Sequence, residues 1–208
     1  MKILVVAATA PEIAIFQSKL PANVQTLVTG VGMTATTYAL AKHLQTHQYD
    51  LVLQAGVGGS FDRSIALGSL VFVTQEHIGD LGAEDHEEYI DLFGLGLADR
   101  DKKPYTAGVL QNTLTELHRK IDLPQVAGIT VNTVSGNERT IARRGQMQCA
   151  VESMEGAAFH YVCIMENVPF AQVRSISNYV IPRDKSQWKM KEAIINLNDW
   201  LIKFTAAL

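Results

Sequence analysis

Met1-Lys2-Ile3-Leu4-Val5-Val6-Ala7-Ala8-Thr9-Ala10-Pro11-Glu12 opens the chain with one Lys, an unbroken apolar run and a Thr-Ala-Pro-Glu turn. A run that short and uniformly apolar reads as a strand buried on both faces, as in a parallel sheet. It is too short to be a signal peptide and far too short to cross a bilayer, so a cytoplasmic protein is expected. Thr9 and Glu12 have capping-box spacing and Pro11 suits an early helical position, so a helix is predicted to follow. Glu12 also stands at the mouth of the strand, where a carboxylate is free to polarise a water. The sequence supports both readings of Glu12.

Working outward, further apolar runs at Leu51–Ala55, Leu70–Gln75 and Phe170–Ile176 have the same two-sided character. Val24–Val28, Val109–Gln111 and Ile129–Val134 are weaker strand candidates, while Thr34–Gln45 and Met154–Asn167 read as helices. Lys185–Ala207 is predicted as a closing amphipathic helix, with Trp188, Ala193, Ile194, Leu197, Leu201 and Phe204 at helical spacing. Gly79–Tyr105, acidic and then rich in Gly and Leu, is the one excursion. No linker or repeat divides the chain, so residues 1–208 are expected to form one α/β domain. The expected architecture is a three-layer α/β/α sandwich around a central mixed, twisted sheet.

The 208 residues carry a formal net charge of -3 and are 47% hydrophobic. Nucleic-acid binders advertise a basic excess, so no nucleic-acid partner is expected. Cys149 and Cys163 have neither metal-ligand spacing nor the look of a disulfide framework. The histidines form no metal constellation, and Asp85-His86-Glu87 reads as a solvated acidic loop. Arg143-Arg144 reads as a surface pair. No Gly-x-Ser-x-Gly elbow is present, so a serine-hydrolase nucleophile is missing.

Ligands of α/β sheets collect beyond the carboxyl ends of strands. Four such places carry chemistry. Glu12 is the first. The second is Gln54-Ala55-Gly56-Val57-Gly58-Gly59-Ser60, where glycines after a strand permit a tight turn or close backbone approach to a ligand. Thr29-Gly30-Val31-Gly32-Met33-Thr34 is a similar turn before a helix, with amides able to hold an anion or a water. The third is Glu152-Ser153-Met154-Glu155-Gly156-Ala157-Ala158, two acids in an apolar setting that must be paired, hydrogen-bonded or protonated. Glu155 near a helix start suits either a cap or the vicinal hydroxyls of a ribose, with Met154 against the sugar face. The fourth is Ser175-Ile176-Ser177-Asn178, where Asn178 either turns the chain or offers a donor and an acceptor to a purine edge.

Taken together, Ala8–Glu12, Thr29–Thr34, Gln54–Ser60, Val151–Ala158 and Val173–Pro182 resemble the nucleoside phosphorylase/nucleosidase superfamily along essentially the whole chain. The pattern is most similar to its hydrolytic branch, and within that to the futalosine hydrolase family of the alternative menaquinone pathway. The resemblance implies that Glu12 activates the attacking water and that Met154 and Glu155 bind the ribose. It also implies that Asn178 faces purine N7, that main-chain groups near Arg139 and Thr140 flank the base, and that Gly32, Gly56 and Gly58 shape the cavity. No metal or other cofactor is implied. The implied partner is a small nucleoside, with no membrane, in a homo-oligomer of at least two chains.

Three departures from the methylthioadenosine nucleosidases stand out. Arg139-Thr140 replaces a phenylalanine-isoleucine pair, Ser153-Met154 replaces one residue between the two glutamates, and Asn178 replaces an Asp. An Asn cannot act as a carboxylic acid, but its amide can donate to a 6-oxo group and accept from N7–H. Hydrolysis of futalosine to hypoxanthine and dehypoxanthine futalosine is therefore the expected reaction. Methylthioadenosine/S-adenosylhomocysteine hydrolysis and purine nucleoside phosphorolysis are the alternatives, and a nucleoside-sensing module is the non-enzymatic one. The Thr29–Thr34 turn has no adjacent Arg to bind phosphate, which favours water as nucleophile.

Overall fold

A computed structural model describes residues Met1–Leu208. The strands are β1 (Ile3–Ala7), β2 (Val24–Val28), β3 (Leu51–Ser60), β4 (Leu70–Ile78), β5 (Gly82–Asp85), β6 (Glu88–Asp91), β7 (Leu110–Gln111), β8 (Gln125–Thr130), β9 (Val151–Ser153) and β10 (Phe170–Tyr179). The helices are α1 (Ala10–Gln17), α2 (Met33–Leu44), α3 (Thr115–Lys120), α4 (Glu138–Gly145), α5 (Gly156–Glu166) and α6 (Met190–Ala206). No helix is long and apolar enough to cross a membrane.

The period-two alternation of β1 explains the layering. Ile3, Val5 and Ala7 point to one face and meet Ile13 and Phe16 of α1 and Leu197, Leu201 and Phe204 of α6. Leu4 and Val6 point to the other and meet Leu40 of α2 with Phe159 and Val162 of α5. Helices thus flank both faces of a twisted mixed sheet, as expected.

The sheet runs β10-β4-β8-β9-β3-β1-β2, with an additional pairing of β10 to β3 that closes it upon itself. The reason lies in β3. Its first residues pair with β1 through Gln54, whereas Gly59 and Ser60 pair with Glu152 and Val151 of β9. Between those two neighbours Gly56 and Val57 lose their partner on one side, and the site opens there.

Several boundaries differ from expectation. Gln54–Ser60 is not a turn after a strand but the second half of β3. Its glycines have no left-handed backbone; they are small because side chains press on them. Ile129–Val134 is replaced by β8, which starts earlier, and the last helix is broken by a 3₁₀ turn at Lys185–Gln187. Asn178 lies inside β10, just past a bulge between Ile176 and Asn178. The excursion folds as the β5–β6 hairpin, whose Glu84 and Glu87 pair with Arg143 and Arg139 of α4.

Candidate active site

Glu12 occupies the third position of α1 and is buried. Its Oε2 accepts the Thr9 amide and the Thr9 hydroxyl, each at 2.9 Å, so the capping box forms. Its Oε1 reaches across the strand mouth to accept the Val57 amide at 3.1 Å. One oxygen therefore caps the helix, and the other lies at the gap in β3, where it accepts the Val57 amide. The helix is itself anchored from α6. Buried Asn198 donates to the Glu12 carbonyl and accepts the Phe16 amide, both at 2.8 Å.

Glu155 is the N-cap residue of α5 and is buried. Its side chain makes no cap hydrogen bond; it turns towards the gap instead. Oε1 accepts the Gly32 amide at 3.1 Å, and Oε2 lies 3.5 Å from Arg174 Nη1. Gly32 has φ 93°, a left-handed conformation that glycine adopts without strain, and this aims its amide at the carboxylate. Met154, half-buried in the bend between β9 and α5, stands next to it.

Arg174 pairs with Glu155 and comes near Glu12 above Gly56. It lies within β10, only 1% exposed, and donates from Nη2 to Gln54 Oε1 at 3.0 Å and from Nη1 to the Val57 carbonyl at 3.3 Å. A Cβ on Gly56 would lie 2.5 Å from Arg174 Nη1 and 3.0 Å from Glu12 Oε1. The guanidinium and the Glu12 carboxylate thus crowd the same point above Gly56. Gly58 is held small by Val151, which a Cβ would meet at 2.8 Å. Arg174 was not among the residues singled out from the sequence. The signal was a charged residue in the middle of an apolar strand.

Asn178 borders a cavity of about 70 Å³ shared with Gly59, Ser135, Glu152, Val180 and Trp188. Its Oδ1 accepts the Ser177 hydroxyl at 2.8 Å and its Nδ2 donates to the Tyr179 carbonyl at 3.1 Å. Glu152 has a structural assignment. Its carboxylate accepts the Ser135 amide at 2.8 Å and hydroxyl at 2.6 Å, and pairs with Arg144 Nη1 at 3.0 Å. Arg144 is accordingly not a surface residue; only 3% of its side chain is exposed.

Arg139 and Thr140 are not brought to Asn178. They form the first turn of α4, where Asn137 Oδ1 accepts the Thr140 amide at 3.0 Å and Arg139 pairs with Glu87 at 2.8 Å. They line a separate cavity of about 850 Å³ between α4 and the β5–β6 hairpin.

Residues 6–207 match the family model described as the phosphorylase superfamily. A futalosine hydrolase of Thermus thermophilus is 32% identical over 170 residues, covering 81% of this chain and 75% of the relative. A 5′-methylthioadenosine/S-adenosylhomocysteine nucleosidase of Colwellia psychrerythraea is 24% identical over 210 residues, covering 86% of this chain and 84% of that protein. The crystal structure of such a nucleosidase from Colwellia psychrerythraea with adenine has a TM-score of 0.81 at 21% identity, covering 100% of this chain and 96% of that one. Fold and relatives define the class: an enzyme that hydrolyses glycosidic bonds. The chain belongs to the phosphorylase superfamily.

Proposed function

We propose that the protein hydrolyses the N-glycosidic bond of a purine nucleoside, with residues 1–208 acting as one nucleosidase domain. The observation that carries this reading is the convergence of Glu12, Glu155 and Arg174 on the gap in β3 at Gly56 and Val57. A water in that gap loses a proton to Glu12 and attacks the anomeric carbon from the face opposite the base. Glu155, fixed by Gly32 and Arg174, accepts the ribose hydroxyls beside Met154 and holds the sugar as positive charge develops on it. Hydrogen bonds from the Asn178 end of the site stabilise the departing base. Preorganised contacts of this kind are each worth roughly 10²–10³ in rate.

The base is assigned from Asn178. Its amide can donate to a 6-oxo oxygen and accept from N7–H, which favours an inosine-type substrate, and futalosine within that class. A purine entering the small cavity displaces the Asn178–Tyr179 contact. A second reading, an adenine nucleoside of the methylthioadenosine type, is favoured by the match to a nucleosidase of that name over 86% of this chain. Both readings share the same attack by water. Assembly into at least a dimer is part of the proposal and is tested by light scattering.

The test is a panel of futalosine, inosine, adenosine and methylthioadenosine assayed for base release. Preferential release of hypoxanthine from futalosine supports the 6-oxopurine assignment. Preferential release of adenine from methylthioadenosine overturns it in favour of the second reading.

A further inference from the structure

Next to Gly156, the residue after Glu155, lies a second acid that the reaction above does not use. Glu76 of β4 is 1% exposed. Its Oε2 accepts the Thr130 hydroxyl at 2.9 Å, and its Oε1 faces Gln172 Nε2 at 2.9 Å. A Cβ on Gly156 or Gly128 would collide with the carboxyl, so two glycines are reserved for it. Thr130 passes the grip onward: its Oγ1 accepts the Ala157 amide at 2.7 Å. Glu76 thereby holds the first turn of α5, the helix on which Glu155 is the cap.

The hydrogen bonds of this cluster are incomplete in one specific way. Gln172 Oε1 and His160 Nε2 are both buried without a partner. His160 Nδ1 lies 3.0 Å from the Leu110 carbonyl, which obliges it to donate and leaves Nε2 as an acceptor. Gln172 also neighbours His160, so the two unpaired atoms belong to one buried cluster. Two buried unpaired acceptors are costly, and a half-turn of the Gln172 amide removes both. The amide nitrogen then donates to His160 Nε2, and the amide oxygen needs a donor from Glu76. A carboxylate has none; a carboxylic acid does.

We propose that Glu76 is a positioning residue of the ribose site that works as a neutral acid, its O–H donating to a reversed Gln172 amide whose nitrogen donates to His160. Ionisation of Glu76 breaks this chain and adds a negative charge that faces Glu155 and competes with it for Arg174. The ribose site is therefore tightest when Glu76 carries its proton. The inference rests on the reading of Glu155 as the ribose ligand.

The surroundings agree. Burial pushes the Glu76 carboxyl up to about 7 against the pull of Arg174, Thr130 and the unreversed Gln172 amide, and Glu155 raises it; reversing the amide removes one of the downward pulls. The titratable and charged groups around it are Glu155 at the cap of α5, Arg174 from β10 and Cys149 ahead of β9, with His160 of α5 next to Gln172. Burial holds His160 down to about 4 and pushes Cys149 up to about 12, so neither changes charge near neutrality.

Isotope-edited infrared spectroscopy of the full chain carrying ¹³C-glutamate reads the proton directly, from about pH 5 to about pH 9. We expect a buried carboxylic-acid carbonyl band that disappears near neutral pH and is missing from Glu76→Gln. In parallel, kcat/KM is measured with whichever nucleoside the protein turns over. The native protein should lose severalfold in kcat/KM above neutrality, mainly through KM, by a decline that Glu76→Gln lacks. Glutamine reproduces the neutral acid's donor and acceptor, whereas Glu76→Ala should raise KM at every pH. Absence of the carbonyl band, or an unchanged alkaline decline in Glu76→Gln, would overturn the proposal. If no nucleoside is cleaved, the functional reading fails and the infrared arm still decides the state of Glu76.

Discussion

Glu155 Oε2 and Arg174 Nη1 stand 3.5 Å apart with both side chains almost fully buried, which makes this ion pair the structural centre of the site. Each member has other partners: Gly32 for Glu155, and Gln54 and Val57 for Arg174. Removing one member of a buried pair strands the other and typically costs about 3–5 kcal/mol. Glu155→Ala should therefore lower unfolding free energy by about that amount and abolish ribose binding. Glu155→Gln keeps the acceptor for Gly32, so it should destabilise less while still raising KM strongly. Urea denaturation and steady-state kinetics on both variants check this. Normal KM in a folded Glu155→Gln protein would remove Glu155 from the ribose site.

Glu12 divides its two oxygens between a cap and the gap, so its substitutions should separate stability from chemistry. Glu12→Gln retains a carbonyl acceptor, and helix caps are worth about 1 kcal/mol, so stability should change little. Turnover should fall by at least the ~10²–10³ typical of losing one transition-state group, with binding retained. Calorimetric binding beside kcat measures both. A near-normal kcat would leave Glu12 as a cap alone.

Asn178→Asp replaces an amide that can pair with a 6-oxopurine by a group suited to adenine. The ratio of turnover on 6-amino to 6-oxo nucleosides should rise by about tenfold or more, the scale of one good hydrogen bond to a ligand. Competition assays with paired nucleosides give the ratio. An unchanged ratio removes Asn178 from base selection.

Stability should decline on both sides of a slightly acidic optimum. The Glu76 carboxyl is raised to about 7 from its ordinary 4.5, so its proton favours the folded state. That contribution is complete below pH 4.5 and is lost as pH rises through about 7. His160 is lowered from 6.5 to about 4, so its contribution is complete above 6.5 and is lost as pH falls through about 4. Each pH unit of displacement corresponds to about 1.4 kcal/mol. Thermal melts across this range should show Glu76→Gln flattening the alkaline limb and His160→Phe the acid limb. Limbs unchanged in these variants would assign the decline to other groups.

How much of this was legible in the sequence depended on whether a signal was local. β1 and the starts of β3 and β4 were readable because their apolar runs are continuous, whereas the polar residues of β2 and β10 interrupt theirs. β3 was read as ending at Ala55 because glycines normally stop strands, whereas here Arg174, Val151 and Asn178 fill the space that side chains would occupy. Glu12, Glu155 and Asn178 were singled out as candidates from strand-end position and family pattern. Glu152 could not be assigned, because its partners Ser135 and Arg144 come from a loop and a helix whose meeting is a tertiary event. For the same reason Arg144 looked like surface. Arg139 and Thr140 were placed beside the base by resemblance, and they line the cavity between α4 and the β5–β6 hairpin. Glu76 followed an apolar strand directly, a buried acid in plain sight, but nothing local indicated Gln172 or His160 as its company.

The central claim is that water, placed by Glu12 in the gap of β3, is the nucleophile. Release of free base from the preferred nucleoside in rigorously phosphate-free buffer, repeated with phosphate added, tests it most directly. The account predicts full turnover without phosphate, free sugar as the co-product, and no acceleration on adding phosphate. Base release that requires phosphate and yields a sugar 1-phosphate would contradict it.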